Sequence, residues 1–354
     1  MIPYGRQTIN DDDIKAVVEV LKSDWLTTGP KIAEFEAAFA EYVGADHAIA
    51  FSNGTAALHG AVSSLELPEG SEIITTPLTF VATANSILYS NCVPVFADVR
   101  EDTLLLNPES VAKEINSKTR AIMPVDYAGQ PCEYDELKEL AEEHDLAIIS
   151  DACHSLGAYY CSYNTGPLVD MTVFSLHPVK LITSGEGGMV TTENGNLASY
   201  LRGFRNHGRG PLGSEFLGYN YRMTDIQAAL GLSQLRRADE FLHQRKLVAE
   251  IYDSYFSNND KVTPLAVRED VYHAYHLYVI KVDDRAKAMK LLNDAGVTTT
   301  IHYPLIHKHY SYHREFWANC PVAERVANNI ISLPIYPTLT MGEQMVVIKA
   351  LERL

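Results

Sequence analysis

Three places in this chain carry residue types whose order and spacing could do chemistry. The first is Ser52-Asn53-Gly54-Thr55, which follows the apolar run HAIAF (47 to 51) and opens a helical stretch. Small residues there admit a ligand to the backbone, the first N–H groups of the helix point outward, and the helix dipole favours an anion. Taken alone, the same turn reads first as an ordinary helix cap. The second is Asp151, at the end of LAIIS, with His154 three residues on. No acidic or histidine cluster of metal-ligand spacing accompanies it, so no metal site is read here. The third is Lys180, 29 residues beyond Asp151 in the apolar, small-residue stretch LHPVKLITSGEGG. A lone lysine is ordinarily a solvated surface residue. In this order, however, the three make a set: an anion cradle, a carboxylate able to keep a heteroaromatic nitrogen protonated, and an amine able to condense with an aldehyde. Pyridoxal phosphate needs all three. Its lysine must be neutral to attack, so desolvation and a nearby cation are expected to depress a pKa that is ordinarily about 10.4.

Such residues work together only if strands deliver them to one edge, because ligands of an open parallel sheet sit beyond the carboxyl ends of its strands. Seven short apolar runs meet that need: HAIAF, EIITT (72 to 76), VPVFA (93 to 97), RAIMPV (120 to 125), LAIIS (146 to 150), MTVFS (171 to 175) and GMVTT (188 to 192). Helical stretches separate most of them, which predicts βαβ units and a mostly parallel sheet covered on both faces. Upstream, Asn10 or Asp11 can cap an amphipathic helix with its stripe at Ile14, Val17, Val18 and Leu21, and a second helix carries Ile32, Phe35, Phe39 and Val43 on one face. The loop SDWLTTGP joins them. Beyond residue 194 a glycine-rich stretch, HGRGPLGSEFLGYN, leads into one long predicted helix from near Thr224 to Phe256. Then follow strand 276 to 282, helix Arg285 to Ala295, strand 297 to 303, a helix around 321 to 330 and a terminal helix from Met341. The expected division is a large cofactor-binding domain, 1–245, and a small C-terminal α+β domain, 246–354.

The 354 residues suit such a pair of domains, and 46% hydrophobic with 21% charged residues exclude a disordered chain. A net charge of −16 argues against a protein that coats nucleic-acid phosphates, so any anionic ligand must be met locally. No apolar run reaches membrane-spanning length, and MIPYGRQTINDDD has neither the apolar core nor the basic character of a targeting segment. The five cysteines form no CxxC pair. A reduced, cytoplasmic protein without nucleic-acid or membrane partners is expected.

The motifs IPYGRQTI, SDWLTTGP, NGTAAL, TTPLTFVATANSI, VDYAGQP, SDACHSLGA, SLHPVKLITSGEGGMV, FRNHG, YNYRMTDIQAALG and IHYP resemble the DegT/DnrJ/EryC1/StrS sugar aminotransferases across nearly the whole chain. The resemblance implies the α/β architecture of fold type I pyridoxal-phosphate transferases, the aspartate-aminotransferase-like fold. It implies that Lys180 links to the cofactor and shuttles a proton, that Asp151 bonds the pyridinium nitrogen, and that Phe80 stacks on the ring. Gly54, Thr55 and Ser175 bind the phosphate, with Asn220 reaching over from the partner of a homodimer whose sites are shared, and His154 lies near the phenolic oxygen. Tyr4, Asp24, Trp25, Leu26, Thr27, Arg222, His302 and Tyr303 would contact substrate, Trp25 as a stacking surface for a base. Relatives with histidine in place of the cofactor lysine are dehydratases; Lys180 argues for transamination. Within the family the sequence is most similar to the branch that moves an amino group from L-glutamate to the C4 ketone of a UDP-linked 4-keto-6-deoxy-N-acetylhexosamine for pseudaminic acid. It departs from that branch at Asn53-Gly54, where serine-alanine is expected. The alternatives are another nucleotide-sugar 4-aminotransferase, of the perosamine or 4-amino-arabinose type, and a regulator that binds the cofactor without turnover.

Overall fold

Every one of the seven apolar runs becomes a strand of a single sheet in the computed structural model, which describes residues 1–309, 316 and 318–354. The strands are β1 (His47–Phe51), β2 (Glu72–Thr75), β3 (Val93–Phe96), β4 (Thr119–Met123), β5 (Ala147–Asp151), β6 (Met171–Ser175) and β7 (Gly188–Thr192). They lie in the order β1-β7-β6-β5-β4-β2-β3. All run parallel except β7, which is antiparallel to both its neighbours. That register puts Phe51 and Ser175 on either side of Gly188, so the ends of β1 and β6 emerge in one row beside the end of β5. Residues such as Ile49, Ile149, Val173 and Val190 are fully buried, as strands sandwiched between two helical layers must be.

Four helices frame the site: α1 (Asp11–Leu21), α2 (Pro30–Val43), α3 (Gly54–Ser63) and α4 (Ala82–Tyr89). Ile32, Phe35, Phe39 and Val43 of α2 are all buried, and Phe39 meets Phe174 of β6 edge-on at 5.3 Å. Helix α1 departs from expectation. Asn10 caps it in a capping box with Asp13, but Ile14 and Leu21 are each 55% exposed while Asp13 is 1% exposed. The Asp13 carboxylate accepts hydrogen bonds from Ser233, Gln234, Arg237 and the Asn10 N–H. Seating that carboxylate against the helix that carries Ser233 and Gln234 rotates the apolar stripe outward.

The single long helix predicted from Thr224 is instead two, α5 (Asp225–Leu235) and α6 (Ala238–Phe256). Arg237, at φ −113° and ψ 10°, breaks them, held by its bond to Asp13 and by the Phe241 ring 4.8 Å below its guanidinium. Helix α6 runs into a small antiparallel sheet, β8 (Thr263–Pro264), β9 (Tyr278–Lys281) and β10 (Ile330–Leu333), which packs with a helix at Arg285–Asp294 and the terminal helix α7 (Met341–Leu351). The run 297 to 303 forms no strand of its own, only single bridges: Val297 to Ile2 and Thr300 to Ser332. The N-terminal segment also reaches the residues just beyond β10: Tyr4 O accepts from the Ile335 N–H at 3.1 Å. The helix expected around 321 to 330 is shorter, Pro321–Val326, since the chain must enter β10. Among the described residues no helix is long and apolar enough to cross a membrane.

Candidate active site

The carboxyl ends of β1, β5 and β6 hold the residues the sequence singles out. Gly54 opens α3 beneath Ser175: a Cβ built there would lie 3.1 Å from Ser175 Cβ and 3.2 Å from its Oγ. Without that carbon, the Ser175 hydroxyl and the N–H groups of Gly54 and Thr55, which have no intrahelical acceptor, share one face. Asn53 is a cap as well, its Oδ1 accepting from Ala56 N–H at 2.8 Å. The turn is therefore both a cap and an open cradle.

Asp151, 4% exposed, accepts a hydrogen bond from the Thr83 hydroxyl at 2.7 Å and another from the Cys153 N–H at 3.2 Å. Among the described residues no basic side chain forms an ion pair with it. A buried carboxylate without a cation is costly, and this one has acceptor capacity left for one. Lys180 Nζ lies 3.3 Å from His276 Nε2. Burial lowers the lysine pKa; Cys153 and Asp151 oppose that shift, and the Arg245 guanidinium adds to it. The expected depression and the expected nearby cation are both present.

His154 Nε2 is 2.9 Å from the Tyr303 hydroxyl, and its ring faces that of His276 at 4.4 Å. Burial holds His154 neutral, well below the usual histidine range, with the Lys180 charge adding to the effect. Tyr303 meets Phe80, ring centroids 6.0 Å apart, and Phe80 stands 56% exposed at the entrance to α4. His302 shares a hydrogen bond with the Ser332 hydroxyl at 2.8 Å, has Tyr4 beside it at 5.4 Å between rings, and is lowered to about 4 by burial and then by Lys180.

Asp24 to Thr27, Asn220 and Arg222 form a second group within the chain. Thr27 bridges Thr224, and Leu26 O accepts from the Asp225 N–H, so the loop is pinned to the start of α5 with Trp25 and Leu26 exposed. Asn220 is exposed and bridges Asn206, to whose side chain Arg222 donates at 2.8 Å. The Tyr221 carbonyl accepts from Ser52 N–H, which sets this strand beside the cradle turn. Arg202, Arg205, Arg209 and Arg222 line an adjoining cleft of about 380 Å³.

A strand-end carboxylate, a desolvated lysine and a helix-start cradle on a sheet of this order define a pyridoxal-phosphate-dependent aminotransferase of fold type I. The chain belongs to the DegT/DnrJ/EryC1/StrS aminotransferase family, whose model matches residues 7–352. It is similar to the spore coat polysaccharide biosynthesis protein SpsC of Bacillus subtilis, 36% identical over 99% of this chain and 96% of that protein. Among solved structures it is similar to Helicobacter pylori PseC, an aminotransferase involved in the biosynthesis of pseudoaminic acid, with a TM-score of 0.95 and 33% identity over 99% of this chain and 98% of the other. The PLP-form of the putative sugar aminotransferase Spr1654 from Streptococcus pneumoniae gives a TM-score of 0.95 at 30% identity, over 99% and 98% of the two chains.

The residues present suit that cofactor. Among the described residues the Asp151 carboxylate has no ion-pair partner, the buried Nδ1 atoms of His154 and His276 have no hydrogen-bond partner, and Phe80 offers an uncovered aromatic face. Sequence reasoning missed Thr83, His276 and Arg245. Thr83 had a signal, since it sits one helical turn after Phe80; a single histidine at a strand entrance and a single arginine inside a long helix had none.

Proposed function

We propose that the protein moves an amino group from L-glutamate to the C4 ketone of a UDP-linked 4-keto-6-deoxy-N-acetylhexosamine, as a homodimer with a large domain, 1–245, and a small domain, 246–354. One observation carries the nucleotide part of this reading: in a chain of net charge −16, four arginines converge on one cleft beside the cradle, and among the described residues only Arg205 has a carboxylate partner, Glu36. Arginine is suited to a diphosphate by its fork of donors. The choice of sugar follows the likeness to PseC. The dimer is supported by apolar side chains left open on one chain next to that cleft: Leu212 at 94% exposure in the turn of a hairpin, and Leu217 at 78% just after it.

When bound, pyridoxal phosphate supplies the electron sink that lets the amino-bearing carbon give up a proton. Gly54, Thr55 and Ser175 would hold its phosphate, Asp151 its ring nitrogen, Phe80 its ring face and Lys180 its aldehyde carbon. Lys180 does the proton work: its amine, discouraged from protonation by burial, takes the proton at Nζ and returns it on the acceptor side. Thr83 fixes the Asp151 carboxylate, and Tyr303 fixes the His154 ring. Borohydride reduction followed by peptide mapping should label Lys180 and no other lysine. Incubation of the purified protein with glutamate and UDP-, GDP- or dTDP-linked 4-keto sugars, read by mass spectrometry, should yield the amino product from the UDP-N-acetyl sugar. Preferential turnover of a GDP or dTDP sugar would instead make it another nucleotide-sugar 4-aminotransferase.

A further inference from the structure

We infer that His276 is a positioning residue for Lys180: its Nε2 accepts a hydrogen bond from Nζ and keeps the amine aimed into the cleft whenever the lysine is free of the cofactor. Nζ and Nε2 are 3.3 Å apart, and no other side chain is bonded to Nζ among the described residues. A free lysine has four rotatable bonds and loses much rotamer entropy when fixed. One acceptor at its tip therefore decides where the amine spends its time.

The imidazole is itself fixed through its backbone. Arg245, 1% exposed and without a carboxylate partner, donates to the carbonyls of Tyr275, His276, Ile335 and Val179, at 3.2, 3.3, 3.1 and 3.4 Å. Val179 directly precedes Lys180, so a single guanidinium ties the two partners of the contact together. On the other side, Ala274 N–H donates to Gly129 O and Leu277 N–H to Ala128 O. Gly129, at φ +105°, is pressed so close that a Cβ there would lie 2.8 Å from His154 O and 3.0 Å from His276 N. Only glycine lets the His154 and His276 backbones pass at that distance.

The charged and titratable groups around the His276 ring are Lys180, His154, Arg245 and His302. Burial and all four keep it in the neutral form. With Nε2 accepting from Nζ, the ring hydrogen sits on Nδ1, which is buried without a hydrogen-bond partner.

The inference rests on Lys180 being the cofactor lysine, which the borohydride mapping tests separately and can refute without touching the Nζ–Nε2 contact. Its own test compares His276→Gln with His276→Asn in the cofactor-free full chain. A glutamine amide can reach the Nε2 position and an asparagine amide cannot, although both are polar and smaller than the pocket. Lys180 is labelled by trace reductive methylation between pH 6 and 11 and quantified in its peptide by mass spectrometry. The glutamine variant should keep the native midpoint, whereas the asparagine variant should fall by about one pH unit as the ammonium loses an acceptor. In the holoenzyme, kcat should drop about tenfold for asparagine, with KM for the amino donor unchanged, and less than twofold for glutamine. Midpoints that stay at the native value in both variants, or move equally in both, would overturn the assignment. Should His276→Asn fail to fold, His276→Thr, which also places nothing at Nε2, replaces it in the same comparison.

Discussion

Replacing Asp151 by asparagine removes the one carboxylate that could answer a protonated ring nitrogen while keeping the bond from Thr83. The expected outcome is a protein that still takes up cofactor but whose conversion by glutamate slows by about 10² or more, followed by stopped-flow absorbance. A rate within threefold of the native protein would remove Asp151 from that role. Lys180, Asp151 and the 53–55 turn were legible in the sequence because each follows a strand and their order is chemically specific. His276 and Arg245 were not, because each acts near Lys180 from a distant part of the chain, across 96 residues for His276 and Lys180. Contacts of that kind leave no local pattern. The cradle illustrates the opposite limit: the cap (Asn53 Oδ1 to the Ala56 N–H) and the anion site (the Gly54 and Thr55 N–H groups) belong to one turn, so the sequence could not choose between them and the structure does not need to.

Among the elements, the strands declared themselves through short β-branched and aromatic runs, whereas their lateral order and the reversed direction of β7 depend on connections that the runs do not encode. Helix α1 shows what periodicity leaves out. Its spacing predicts a helix correctly, yet the buried side is set by Asp13 and its four donors, not by Ile14, Val18 and Leu21. Asp13→Ala should therefore destabilise the protein by about 3 kcal/mol, because Arg237 and the Ser233 and Gln234 groups lose a buried acceptor. Urea titration of the purified variant measures this. Ile14→Ala, on the open face, should cost the isolated chain less than about 0.5 kcal/mol. Equal losses for the two would mean the helix seats on its apolar stripe after all.

For the molecule as a whole, buried histidines set a pH limit. Burial lowers His59 and His302 to about 4 and His273 to about 3. Unfolded, each titrates near about 6.5. Between that value and about 4 the unfolded chain binds protons that the folded chain refuses, so stability rises with pH across this window and is flat, for these groups, above it. Asp126, which burial pushes up to about 6, works the other way over part of this window by holding a proton that the unfolded chain has lost, but the three histidines outnumber it. The urea midpoint should therefore fall from pH 7 to pH 4.5; a midpoint independent of pH there would show that the histidines do not set the limit. The proposed dimer with a shared site is testable at this scale: heterodimers of Lys180→Ala and Asn220→Ala subunits, each expected to be inactive alone, should regain part of the native activity by assembling one intact site. Verified heterodimers without activity would argue that each chain is self-sufficient. The bridge between Ile2 and Val297 carries a different kind of consequence. During synthesis Ile2 leaves the ribosome 295 residues ahead of its partner, roughly 15–60 s at ordinary elongation speeds. The seven-stranded sheet can assemble in that interval, since its last strand ends at Thr192. The N-terminal segment cannot, so it waits unpaired on a domain already formed and is locked down only when the small sheet emerges, which makes an early stretch of the chain one of the last to find its place.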